Sequence, residues 1–278
     1  MRLISTQAGK WSTRWSVLGL IAAMLSAGPA KADENVQFYS AEIPLTPFAR
    51  KTGAQPKPPQ QLNGVLTRPE NAKPDDNRRF PAVILLHGCA GTGRWNDVWA
   101  RRLAGWGYVV LSIDSFGSRG QGSLCGRPGV VPGPLRAYDA RGGQAFLAGL
   151  SYVDPARIGV MGMSHGGWAT LSAIRKTEGQ QPFKAAIAFY PWCDGPYDID
   201  TPLLILTGGR DDWSPAPLCE KFAAHSPGTV ELKIYPDAYH LFDLKGVNAR
   251  EEGHLLLYNQ PAAEDAEQRV KAFLAQHL

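Results

Sequence analysis

Cysteine and histidine are sparse in this 278-residue sequence, with four and six residues, and no two cysteines form a C-x-x-C pair. A thiolate zinc cluster is therefore not expected, and neither a metal nor an organic cofactor is implied. The apolar run Trp15 to Leu25 is shorter than the ~20 residues needed to cross a bilayer. No twin arginine precedes it and no cysteine follows it near the next small-residue cluster, so export in the unfolded state without a lipid anchor is expected. The sequence also lacks internal repeats. Its net charge of +4 is local. Arg2, Lys10, Arg14 and Lys31 lie in the first 32 residues, which hold no Asp or Glu. Removing these four of the 29 Lys/Arg leaves 25 facing 25 Asp/Glu. Neither nucleic acid nor an anionic membrane surface is an expected partner of so balanced a chain.

What is present begins with a basic start, the short apolar run and Ala30-Lys31-Ala32. Together these read as a cleaved signal peptide over residues 1–32, with the mature chain starting at Asp33 in the periplasm or outside the cell. Residues 33–60, rich in Pro, Lys and Gln, read as an extended arm. Residues 61–278 suit one α/β domain. Gln61 to Pro69 has the apolar spacing of an edge strand. Phe80 to Leu86, Tyr108 to Ile113, Phe183 to Tyr190, Pro202 to Thr207 and Thr229 to Tyr235 read as further strands. Trp95 to Ala104, Leu135 to Leu150, Pro217 to Ala224 and Glu264 to His277 have helical spacing. Ser115 to Pro134 is a long Gly/Ser/Pro-rich loop, and Asp154-Pro155 is a turn. Strands alternating with helices predict a mostly parallel sheet with helices on both faces, and function at the carboxyl ends of the strands.

The chemistry centres on Arg157 to Trp168, RIGVMGMSHGGW. An apolar strand runs into Gly162-Met163-Ser164-His165-Gly166, followed by a helix-compatible segment. This is G-x-S-x-G in the strand–turn–helix setting that exposes a serine hydroxyl. A serine nucleophile needs a base, and the base needs an acid to orient it. His87 and His165 belong to other motifs, His225 ends a helix away from the strand carboxyl edge, His254 reads as an exposed loop residue, and His277 is terminal. His240, after the last strand, is the expected base. Asp211 and Asp212 both follow a strand end, and Asp211 is preferred because it comes first after Gly208-Gly209-Arg210. The amides of Cys89 and His165 are the expected oxyanion donors. Cys89 itself is expected as a small buried thiol.

The set LLHGCAG, GMSHGG, GGRDDWSP and YHLF, in this order, resembles the α/β-hydrolase superfamily and within it the dienelactone hydrolase-like branch. The resemblance covers roughly Gln61 to Leu278. It implies an α/β-hydrolase fold and a hydrolase with Ser164, His240 and Asp211 as its triad. Dienelactone hydrolases carry Cys in this elbow. Ser164 in its place favours a more general serine esterase acting on a small-molecule ester. A serine peptidase of the same fold and a non-catalytic binding protein are the alternatives. Phe116, Tyr190, Trp192 and Trp213 lie near strand ends as candidates for an aromatic pocket, whereas Trp168 is placed in the core. Arg119 could hold a substrate carboxylate. Among the cysteines, Cys193 is expected to pair with Cys219 or with Cys125, leaving Cys89 odd. Oligomeric state is not legible from the sequence.

Overall fold

Phe80 to Leu86 is apolar at every position, and in the computed structural model this run is a central strand buried on both faces. The structure describes residues 33–72 and 78–278. The expected signal peptide, residues 1–32, lies outside the described residues. From Asp33 onward the chain falls in one compact unit.

In chain order the elements are β1 (Glu34–Tyr39), α1 (Pro47–Lys51), β2 (Gln61–Thr67), β3 (Phe80–Leu86), α2 (Arg94–Gly105), β4 (Val109–Asp114), α3 (Gly133–Ala148), β5 (Val153–Met163), α4 (His165–Ala173), β6 (Ala186–Phe189), β7 (Leu203–Gly208), α5 (Ala216–His225), β8 (Val230–Tyr235), β9 (Asn248–Glu251), β10 (His254–Leu257) and α6 (Gln260–His277). Among the described residues, eight strands form one sheet in the order β1-β2-β4-β3-β5-β6-β7-β8. β1 and β2 run antiparallel to their neighbours, and every pairing from β4 to β8 is parallel. β9 and β10 make a separate hairpin. The chain leaves β3 toward β4 on one side and returns to β5 on the other. The loops after β3 and β5 therefore diverge at a switch point, where ligands bind in open parallel sheets.

Successive β3 residues feed two cores. Ala82, Ile84 and Leu86 pack under α3 and α4, while Val83 and Leu85 pack under α2 and α6. Each fully buried Val, Ile or Leu stabilises the fold by about 1.5–3 kcal/mol relative to exposure. Two aromatic anchors of α2, Trp95 and Trp99, and Val270, Phe273 and Leu274 of α6 complete the second core.

Several expectations are corrected. The arm over residues 33–60 holds a real strand, β1, paired in register with β2 from Glu34↔Leu66 to Tyr39↔Gln61, so β1 and not β2 is the sheet edge. Asp154-Pro155 lies inside β5 rather than in a turn. The strand expected over Phe183 to Tyr190 is shorter, Ala186–Phe189, although Lys184, Ala185 and Tyr190 still hydrogen-bond to the flanking chain. The loop between β4 and α3 is ordered by its own small core of Phe116, Leu124 and Val131.

Candidate active site

The turn between β5 and α4 is tight enough to exclude side chains at its two glycines. A Cβ on Gly162 would lie 2.1 Å from the Gly166 carbonyl oxygen, and one on Gly166 would lie 2.1 Å from that of Leu86. Between them Ser164 takes φ +52°, ψ −118°, a conformation that non-glycine residues rarely adopt. Its hydroxyl is thereby lifted to the N-terminal end of α4. Tyr190 (φ +34°) and Leu241 (φ +57°) are also left-handed, so three strained backbones meet here.

His240, in the loop after β8, places Nε2 2.9 Å from Ser164 Oγ. Its Nδ1 lies 2.7 Å from Asp211 Oδ2, in the loop after β7. The other Asp211 oxygen accepts from the amides of Trp213 and Ser214, both at 2.9 Å. A carboxylate so held accepts a hydrogen bond from His240 Nδ1–H, which fixes the tautomer whose Nε2 lone pair faces the serine hydroxyl. Asp211 and His240 are buried. Asp212 instead faces outward and pairs with His254 at 3.1 Å.

Cys89 and His165 border the same cavity as Ser164. Neither amide donates to another group among the described residues. Behind them sits Arg136 of α3, fully buried, with Nη1 2.8 Å from His165 Nδ1 and Nη2 donating to the His87 carbonyl at 2.9 Å. Burial lowers the Arg136 guanidinium to about 9, still charged at neutral pH. Burial first, and Arg136 second, lowers the His165 imidazole to about 4, so it is neutral at pH 7.

The other candidates distribute as follows. Trp213 and Trp192 line the cavity beside Ser164. Trp168, expected in the core, lines it too, with Nε1 donating to Asp194 at 2.7 Å. Tyr190 lies outside that lining: it is fully buried beneath His240, ring centroids 4.6 Å apart, and its hydroxyl donates to Asp243. Phe116 is buried against His87 and His165 and does not line that cavity. Arg119 is spent on a two-pronged pair with Asp139, at 2.9 and 2.7 Å, so its expected role toward a substrate carboxylate is withdrawn. Cys89 is no free thiol. It is bonded to Cys125, and Cys193 is bonded to Cys219. His254 is no simple loop residue: it begins β10 and stacks on Trp213 at 4.9 Å and 15°.

Sequence reasoning missed Arg136, Asp243 and the β9–β10 hairpin. Asp243 accepts from Trp95, Trp99 and Tyr190 at 2.7, 3.0 and 2.7 Å, and so ties the His240 loop to α2. Its position three residues after His240 was the available signal. Leu256 of the hairpin pairs with His240, and the Leu257 amide donates to the His240 carbonyl at 3.2 Å.

The chain is 30% identical over 182 residues to an uncharacterized protein of Mycobacterium tuberculosis, matching 58% of this chain and 63% of that one. It therefore spans less than two thirds of that curated relative. It is 27% identical over 249 residues, 80% of this chain and 82% of the other, to a protein of Methylorubrum extorquens named as a candidate carboxymethylenebutenolidase. Among solved structures, dipeptidyl peptidase 4 of Porphyromonas gingivalis superposes with a TM-score of 0.61 at 21% identity, over 88% of this chain and 35% of that one, a likeness of fold. Residues 62–278, from β2 to the last residue of the sequence, match the Dienelactone hydrolase family, and the chain belongs to that family of α/β-hydrolase-fold hydrolases.

Proposed function

We propose that this protein is an exported serine hydrolase of carboxylic esters that works through an acyl-enzyme. The observation that carries this reading is the unbroken hydrogen-bond path from Ser164 through His240 to Asp211, at 2.9 and 2.7 Å. Ser164 Oγ attacks the ester carbonyl while His240 Nε2 takes its proton. Asp211 orients the imidazole and stabilises the imidazolium that forms. The carbonyl oxygen becomes an oxyanion and accepts from the Cys89 and His165 amides, at the positive end of α4. The imidazolium then gives its proton to the departing alkoxide, and the acyl group stays on Ser164. Water loses a proton to His240 and attacks the acyl carbonyl. Collapse of the second tetrahedral intermediate returns the proton to Ser164 and frees the acid. Two disulfides among the described residues support the export half of the reading, since such bonds persist in oxidising compartments.

The test is hydrolysis of p-nitrophenyl esters of increasing acyl length by the mature protein and by Ser164→Ala. Turnover is expected to fall on the order of 10⁴-fold or more. Equal activity of the two proteins would remove Ser164 as nucleophile. A dipeptidyl p-nitroanilide run in parallel separates ester from peptide chemistry. Cleavage of the anilide at a higher kcat/KM than any ester would replace the ester reading with the peptidase one.

A further inference from the structure

Two cavities meet at Ser164, and they differ in character. One, about 240 Å³, has an aliphatic wall of Met163, Leu241, Leu244 and Leu256, carries Arg94 and Glu251 on its lining, and shares Trp213 with the other. The other, about 280 Å³, is walled by three indoles, Trp168, Trp192 and Trp213, with Pro128 and the Cys89–Cys125 disulfide between them. Among the described residues, no Asp, Glu, Lys or Arg lines this second cavity.

The three indoles are held to different degrees. Trp168 is fixed at both ends: its Nε1 donates to Asp194, which also accepts from the Tyr197 hydroxyl, and its ring meets His165 edge-on at 5.3 Å. Trp213 has His254 flat on its ring at 4.9 Å and His240 tilted against it at 5.1 Å. Trp192 has no ring neighbour and no acceptor for its indole N–H among the described residues, and it is 44% exposed. A large aromatic left bare at the rim of a cavity, opposite two fixed ones, leaves one stacking partner unfilled.

We infer that the tryptophan-lined cavity receives a flat, uncharged aromatic ring borne on one side of the scissile ester, with an aliphatic group of the other side in the leucine-lined cavity. The inference rests on the serine-hydrolase reading above. The ring would lie against Trp192, its edge toward Trp168 and Trp213. A saturated ring of equal size would fill the same volume but lose the offset and edge contacts that aromatic pairs favour. A charged group would be desolvated there without a counter-ion.

The experiment compares ring pairs of similar intrinsic reactivity. Ethyl phenylacetate is set against ethyl cyclohexylacetate, and benzyl acetate against cyclohexylmethyl acetate. Each is assayed as kcat/KM with the wild type, Trp192→Leu and Ser164→Ala. The aromatic member of at least one pair is expected to be preferred roughly five- to tenfold, equivalent to one aromatic contact or two. Trp192→Leu, which keeps an apolar side chain but no π face, should bring that ratio near one. Because the readout is a ratio within one protein, a loss of folded material does not imitate it. A ratio near one in the wild type, or a preference unchanged in Trp192→Leu, would overturn the aromatic inference while ester cleavage remained intact. If no ester is cleaved, or if Ser164→Ala cleaves them equally well, the underlying serine-hydrolase reading fails instead.

Discussion

Arg136 Nη1 lies 2.8 Å from His165 Nδ1, and both residues are buried from bulk water. Because the guanidinium can only donate, His165 Nδ1 must be the acceptor, and Nε2–H then donates to the Pro128 carbonyl at 3.1 Å. Arg136 thus sets one tautomer, holds the residue whose amide faces Ser164 and grips the loop after β3 through the His87 carbonyl. Arg136→Met is expected to lower kcat ten- to a hundredfold, about 1.4–2.7 kcal/mol of transition-state stabilisation, with KM little changed. Arg136→Lys should recover part of it, since a point charge cannot reproduce the fork. Steady-state kinetics on a p-nitrophenyl ester decides. An unchanged kcat in Arg136→Met would reduce the residue to packing.

The lowered His165 imidazole makes stability depend on pH. An unfolded chain protonates this histidine below its ordinary 6.5, whereas the folded chain resists until about 4. The contribution is complete above pH 6.5 and is lost as pH falls from there to 4, amounting to about 3 kcal/mol. His87, also lowered by burial, adds to the same slope. Urea midpoints between pH 7 and 4 should fall steeply in the wild type and less so in His165→Asn, which cannot take up a proton.

The two neighbouring aspartates should separate cleanly. Asp211→Asn leaves His240 Nδ1 without its carboxylate and is expected to reduce kcat by about 10⁴-fold. Asp212→Asn only weakens an exposed pair with His254 and should cost less than about threefold. Matched kinetics of both variants check this, and comparable losses would reverse the assignment.

The disulfides have different consequences. Cys89–Cys125 closes a 36-residue separation and Cys193–Cys219 one of 26. Loop-closure entropy alone assigns each about 3–4 kcal/mol of stability. Replacing either pair with alanine should lower the urea midpoint by similar amounts. Only the Cys89–Cys125 replacement is expected to lower kcat strongly, because it frees a residue whose amide borders Ser164. Paired denaturation and kinetics at a temperature where both variants stay folded would show it.

Asp243 offers a way to perturb the base through its loop. Asp243→Asn keeps the shape but puts an NH₂ against either the two indole donors or the Tyr190 hydroxyl. The unsatisfied donor is expected to cost about 1–3 kcal/mol in stability. It should also reduce kcat, because the loop that carries His240 loses its anchor three residues further on. Wild-type kcat in a destabilised variant would show that the anchor serves folding alone.

Much of this was legible in the sequence. β3 is an unbroken apolar run and β4 and β7 begin with apolar runs of three and four residues, a pattern that suits doubly buried strands. The elbow is announced by glycines whose missing side chains the turn requires, and the order of Ser164, Asp211 and His240 follows from successive strand ends. What stayed hidden depends on long-range geometry. The pairing of Arg119 with Asp139 and of Cys89 with Cys125 is set by how one loop folds over another. Trp168 points to the cavity because Gly166 and Gly167 occupy the face of α4 that meets the sheet. β9 is fully exposed, so it carries no apolar alternation, and β1 sits in a proline-rich stretch whose composition masks its pairing.

The β9–β10 hairpin joins two properties that are usually adjusted apart. Leu256 walls the aliphatic cavity, and the same short strand holds the His240 backbone through Leu256 and Leu257. A mutation that reshapes this wall to admit a new chain also shifts the base that acts on it. Selection or engineering at Leu256 therefore trades substrate range against turnover within one step, while Trp192, unlike Trp213, packs on neither His240 nor the hairpin and forms the freer route to new specificity.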